Sequence, residues 1–183
     1  MVQEVLLDTN ALIDLMDLSC LDVVAGCPGL RCWVVENVRQ EVSRPDQREK
    51  LDRLLSSGII HETQVGAEET SWMEELATYA GLKSFLGDGE AASLAVARHR
   101  SWVFVSYEKG RLLREAHNLL GRRFWSTAFL LARMVSAKII TVDQLDAAVA
   151  RCVASTMQMK GEHLSRMVSE ARSLISTQEE PPP

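Results

Sequence analysis

No stretch of these 183 residues approaches the roughly 20 consecutive apolar residues of a membrane span, so the sequence offers no transmembrane helix. The opening residues do not read as a secretory leader. MVQEVLLDTN carries an acidic residue and only a three-residue apolar run before Asp8, unlike a signal peptide. Cysteine is sparse. Cys20, Cys27, Cys32 and Cys152 form no C-x-x-C pair, and no His stands close enough in sequence to suggest a zinc site. They read as small buried thiols, which fits a reducing cytosol. There is no excess of positive charge: 20 Lys and Arg against 25 Asp and Glu give a net charge of -5. That argues against nucleic-acid binding through overall charge and leaves room for a local basic patch. Internal repeats are absent. The only low-complexity stretch is the closing proline run, and residues 177–183 read as a disordered tail. The expected location is cytoplasmic.

What is present describes an ordinary globular protein, 46% hydrophobic and 25% charged. Its length suits one domain, read as residues 1–155, with a C-terminal helical extension at 156–176. Short apolar runs at 4–8, 32–38, 59–65 and 102–106, and the start of 123–139, read as strands. Helices are expected over 9–18, capped by Thr9 or Asn10, and over 47–58, after Pro45 breaks the preceding element. Further helices fall within 68–81, 86–100, 108–121 and the rest of 123–139. Thr141 and Gln144 form a capping box at the head of a helix over 141–155. A Met-rich amphipathic segment with a break at Gly161 follows. Its apolar face (Met157, Met159, Leu164, Met167, Val168, Ala171, Leu174) reads equally well as a partner surface or as core packing. Alternation of strands and helices predicts an α/β fold with a parallel central sheet and helices on both faces.

In such a sheet, ligands bind outside the carboxyl ends of the strands. Acids cluster at those positions. Asp8 follows the first strand, Glu36 and Glu41 the second, and Glu108 the 102–106 strand; Asp88 and Glu90 open the small-residue helix, flanked by Gly87 and Gly89. Each has a plain structural reading, as a helix cap or a first-turn charge favoured by the helix dipole. Taken together they are carboxylates held close, which stay ionised only around a cation. Oxygen-only donors suit Mg²⁺ or Mn²⁺ rather than zinc. A hard divalent ion there neutralises charge on a phosphate under attack, the chemistry of phosphodiester hydrolysis. Lys109, Arg111, Arg114, Arg122 and Arg123 follow Glu108 and offer phosphate contacts or, alternatively, a solvated helix face. Trp33, Trp72, Trp102 and Trp125 lie on strands or apolar helix faces and read as core.

LLDTNALIDL resembles the opening of a PIN domain, the nuclease fold of VapC-type toxins and related RNA-processing enzymes. The likeness continues in order over roughly residues 3 to 150. NVRQEVSR resembles the second-acid region, with Glu41 as the acid. DGEAASLAVA resembles the third, with Glu90 in the metal-site role and Asp88 beside it. FVSYEKGRLLREA is similar to the segment usually written Thr-x-Asp, with Ser106 for the threonine and Glu108 for the aspartate. RFWSTAFLLARMVSAKII is similar to the last strand and helix, with Ser126 or Thr127 as the small hydroxyl near the site.

The resemblance implies a three-layer α/β/α fold with four or five parallel strands. It implies a Mg²⁺- or Mn²⁺-dependent ribonuclease, with Asp8, Glu41, Glu90 and Glu108 as catalytic acids and Asp8, Asp88, Glu90 and Glu108 around the ion. Asn10, Ser106, Lys109, Arg111, Ser126 and Thr127 would meet the RNA. A cognate antitoxin and a homodimer are the partners it implies. The sequence departs from the family pattern in having Glu for Asp at the third and fourth acids, and Tyr107 where many relatives carry an acid. The longer Glu stem shifts a carboxylate by about one methylene, and Mg²⁺ demands near-ideal octahedral geometry. A catalytically silent PIN-like binding module is therefore the alternative. A phosphatase of the haloacid dehalogenase type begins with a similar strand and Asp, but needs a second Asp where this chain has Asn10.

Overall fold

The computed structural model describes residues 2–79, 87–107, 111–154 and 158–177, without the side chains of 76–79, 111–115 and 158–159. Five strands build the sheet: β1 (Gln3–Leu7), β2 (Leu30–Val35), β3 (Ile60–Thr63), β4 (Val103–Ser106) and β5 (Phe124–Ser126). Their order is β3-β2-β1-β4-β5, and every pairing is parallel. Val5, Leu6, Leu7 and all of Val103 to Ser106 are buried. A strand covered on both faces is expected to be continuously apolar, which is how β1 and β4 read in the sequence.

Helices form the outer two layers. The connection from β1 to β2 carries α1 (Thr9–Asp17) and α2 (Leu21–Ala25); α3 (Glu36–Glu41) and α4 (Pro45–Ser56) join β2 to β3. Then come α5 (Ala67–Tyr79), α6 (Asp88–Arg100), α7 (Arg111–Leu120), α8 (Thr127–Ser136), α9 (Val142–Ala154) and α10 (Gln158–Thr177). Helix α6 packs on β1, β2 and β4, and its row of Ala92, Ser93, Ala95 and Ala97 is fully buried. Small side chains there let the helix sit close on the sheet. Helices α1 and α8 pack on β4, and α10 lies against α8 and α9. Among the described residues no helix is long and apolar enough to cross a membrane.

The structure differs from the sequence expectations at several points. Strand β2 ends at Val35, and Glu36 to Val38 belong to α3. Pro45 starts α4 instead of breaking a helix, because at the first helical position its missing N–H would have had no partner. Helix α2 has five residues, too few for periodicity to reveal it, yet buries Leu21, Val24 and Ala25. Gly161 does not interrupt α10. A Cβ built there would lie 2.5 Å from Val153 Cγ2, so the glycine lets α10 approach the end of α9. The capping box forms as read, with the Thr141 N–H on Gln144 Oε1 at 2.8 Å and the Gln144 N–H on Thr141 Oγ1 at 3.2 Å. Leu164, Met167, Val168 and Ala171 are buried in the common core, with Leu174 packed against it. Core packing is therefore the reading that holds for those residues of the Met-rich face. Met157 and the side chain of Met159 lie outside the described residues.

Candidate active site

From β1 the chain builds outward to β2 and β3; from β4 it builds the other way to β5. The switch falls between β1 and β4, where an open α/β sheet leaves a crevice at its carboxyl edge. Asp8 stands at that point. Its N–H donates to the Val105 carbonyl of β4 at 3.1 Å, and its side chain is fully buried. Oδ1 accepts the Ala11 N–H at 2.6 Å. Asp8, not Thr9 or Asn10, is thus the N-cap of α1. Capping and strand-tip placement, which look like competing readings in the sequence, are both true of this residue. A cap contributes about 1 kcal/mol.

Helix α3 follows β2 without a loop, so its acids are set at the same edge. Glu36 and Glu41 are five residues apart, which turns their side chains about 140° from each other around the helix. Glu41 is the one held toward Asp8. Its Oε2 accepts the hydroxyl of Thr9, the residue next to Asp8. Its Oε1 accepts the Gly89 N–H at 2.9 Å, in the first turn of α6. Glu36 is exposed and takes a hydrogen bond from Gln40 at 3.2 Å. A Cβ on Gly89 would fall 2.7 Å from both Glu41 carboxylate oxygens. The glycine is thus required for the carboxylate to lie against the helix start, where the dipole favours negative charge.

Around this link, Glu90 Oε2 accepts the Gly87 N–H at 3.0 Å, capping its own helix. Asp88 is exposed beside it. Asn10 is exposed on the first turn of α1. Ser106 is buried at the end of β4, in register with Ser126 on β5. Ser126 caps α8 by accepting the Phe129 N–H at 3.0 Å. Thr127 is fully buried, and its hydroxyl has no partner among the described residues. Glu108 and Lys109 lie outside the described residues, as do the side chains of Arg111 and Arg114. Arg123 is not available as a phosphate contact at this edge. It precedes β5 and donates to the Ala97 carbonyl at 3.0 Å, closing the C-terminal end of α6 at the opposite edge of the sheet. Tyr107 follows β4. Its hydroxyl donates to Glu170 at 3.2 Å and its ring meets His163 edge-on at 5.1 Å. Burial, and then the charge of Glu170, push the phenol up to about 12, so it stays a donor at neutral pH.

Thr9 and Gly89 were not singled out as functional by the sequence reading. A glycine between two acids at a helix start was the available signal for Gly89; Thr9 had none. All the acids here offer oxygen only, the donor set of a hard divalent cation. Glu41 is linked to Thr9, the neighbour of Asp8, and Gly89 leaves room for its carboxylate, so oxygen donors of the kind a hard cation takes stand along this edge. Among the described residues no three His, Cys, Asp or Glu side chains stand close enough to hold an ion by themselves.

An all-parallel five-stranded sheet between two helical layers, with Asp8 at the β1/β4 switch, defines a three-layer α/β/α protein. A PIN-domain family model matches residues 4–173, and the chain belongs to that family. PIN domains are generally nucleases and usually use divalent metals. No curated protein matches the chain.

Proposed function

We propose that this protein is a Mg²⁺- or Mn²⁺-dependent endoribonuclease, the toxin of a toxin–antitoxin pair. The observation that carries the reading is Asp8, a buried carboxylate at the β1/β4 switch, tied through Thr9 to Glu41 and through Glu41 to the start of α6. Asp8, Glu41, Glu90 and Glu108, with Asp88 alongside, would hold the cation. When bound, it offsets the charge of the acids and of the phosphate under attack. The chain's own part is orientation. Capping of α1 holds Asp8 still, and the Thr9 and Gly89 hydrogen bonds hold Glu41. Asn10 and the hydroxyls of Ser106, Ser126 and Thr127 are the polar groups assigned to the substrate side, and Lys109 and Arg111 the phosphate contacts that a net charge of -5 otherwise withholds.

The test is cleavage of a mixed single-stranded RNA with Mg²⁺ or Mn²⁺, with EDTA, and in Asp8→Asn. Asn keeps an oxygen for the Ala11 N–H, so the fold survives while the charge is lost. Cleavage that stops with EDTA and in Asp8→Asn is the expected result; equal cleavage by the variant sinks the reading. A silent binding module is the second reading, favoured by the Glu-for-Asp positions and by the two hydrogen bonds that occupy Glu41. Its signature is a titration with Mn²⁺ that gives no binding. A small gene immediately upstream, whose product co-purifies with this chain, is expected for the toxin assignment, which is dropped without it.

A further inference from the structure

The site-bearing elements are gripped from far along the chain. Asp14 lies on α1, the helix that Asp8 caps, and is 1% exposed. Its Oδ1 meets Lys160 Nζ at 2.6 Å and its Oδ2 meets His163 Nε2 at 2.8 Å, both from α10. Lys160 also reaches Asp17 at 3.5 Å, which Gln47 and Arg44 contact from α4 and its cap. The His163 ring rests against Tyr107, the first residue past β4, and Glu170, two turns further along α10, takes the Tyr107 hydroxyl. Tyr107 is two residues from Val105, whose carbonyl receives the Asp8 N–H. One helix therefore holds both sides of the β1/β4 crevice.

We infer that His163 is a positioning residue for the active edge, acting through Asp14 and Tyr107 to keep α1 and the exit of β4 in one arrangement around Asp8. This rests on the nuclease reading. Helix α10 does not need these contacts to stay attached: Leu164, Met167, Val168 and Ala171 already bury it on α8 and α9. Lys160 already supplies a charge for Asp14. His163 adds a directed contact that a charge alone does not, and it is the residue that touches both elements. A directed contact to the buried Asp14 carboxylate fixes where α1 sits relative to α10, and misplacing a catalytic group by about 1 Å costs up to about 100-fold.

The experiment compares His163→Ala and His163→Gln with Arg172→Ala, which removes an exposed α10–α9 ion pair to Asp146 and touches neither Asp14 nor Tyr107. Two readouts are taken: amide hydrogen exchange at Asp8 and Ala11, and steady-state RNA cleavage with Mn²⁺. His163→Ala is expected to speed exchange at both amides by about tenfold and to lower kcat by about 10- to 100-fold with KM little changed. His163→Gln, whose amide still donates to Asp14, restores most of both, and Arg172→Ala moves neither. Unchanged exchange in His163→Ala overturns the positioning role, as does unchanged kcat in a protein that cleaves RNA. Faster exchange in a protein whose wild type never cleaves RNA refutes the nuclease reading and leaves the His163 contact standing as a fold-positioning one.

Discussion

Replacing Gly89 with Ala separates stability from activity. The new Cβ would sit 2.7 Å from both Glu41 oxygens and 2.8 Å from its Cδ, closer than real Cβ contacts come. Glu41 is exposed and its stem is flexible, so the carboxylate swings out rather than the helix moving. It then loses the Gly89 N–H at 2.9 Å and the Thr9 hydroxyl. A hydrogen bond to a charged group contributes about 1.5–3 kcal/mol, which corresponds to about a 10- to 150-fold fall in kcat/KM if the arrangement matters in the transition state. In the fold, the loss of these bonds, reduced because Glu41 is exposed, is opposed by a gain in the helix. Ala in place of Gly in a helix is favourable by up to about 1 kcal/mol, and Gly89 has no left-handed backbone that would oppose it. Melting followed by circular dichroism, with RNA cleavage on the same preparation, is the assay. The expected outcome is a Tm close to that of the wild type with at least tenfold lower kcat/KM. Wild-type cleavage by Gly89→Ala would refute the role given to Glu41, and a large fall in Tm would refute the claim that the side chain yields before the backbone.

Three further outcomes follow from the packing. Gly161→Ala overpacks the contact with Val153, 2.5 Å from its Cγ2 and 3.2 Å from its Cα; urea unfolding should show a loss of about 1–3 kcal/mol, only partly recovered with Val153→Ala because the backbone contact remains. Thr141→Ala removes half of the reciprocal cap of α9 and should cost about 1 kcal/mol in the same assay, with no effect on cleavage. Burial pushes the Cys20 and Cys32 thiols up from 9.0 to about 12. The folded chain keeps protons that the unfolded chain releases above pH 9, so stability is full below pH 9 and falls as pH rises toward 12. Urea midpoints at pH 8 and pH 10.5 check the sign, and at pH 8 a thiol reagent should reach the half-buried Cys27 before Cys20 or Cys32.

The sheet was legible because burial on both faces demands continuous apolar runs, and VLL and WVFV are such runs bounded by polar residues. The helices with long amphipathic patterns were legible for a related reason. Helix α2 and the reach of β2 were not: five residues carry no period, and a strand entering a helix without a loop leaves no turn residue to mark the boundary. Pro45 and Gly161 misled because their usual effects depend on position. A proline is harmless at a helix's first residue, and a glycine at a close helix contact is a fit rather than a break.

The site divides along the same line. Local sequence determined that Asp8 ends an apolar strand, that acids sit beside later elements, and that a glycine separates Asp88 from Glu90; strand ends and helix starts are written in nearby residues. It equally determined the PIN-domain likeness, which is a matter of order and spacing. That Thr9 and Gly89 hold Glu41 while Glu36 bonds Gln40 instead, that Arg123 serves the far edge, and that His163 grips α1 from 149 positions away were decided only by tertiary structure. Those are relations between segments with no periodic or local signature, fixed by strand order and by the angle at which each helix leaves the sheet.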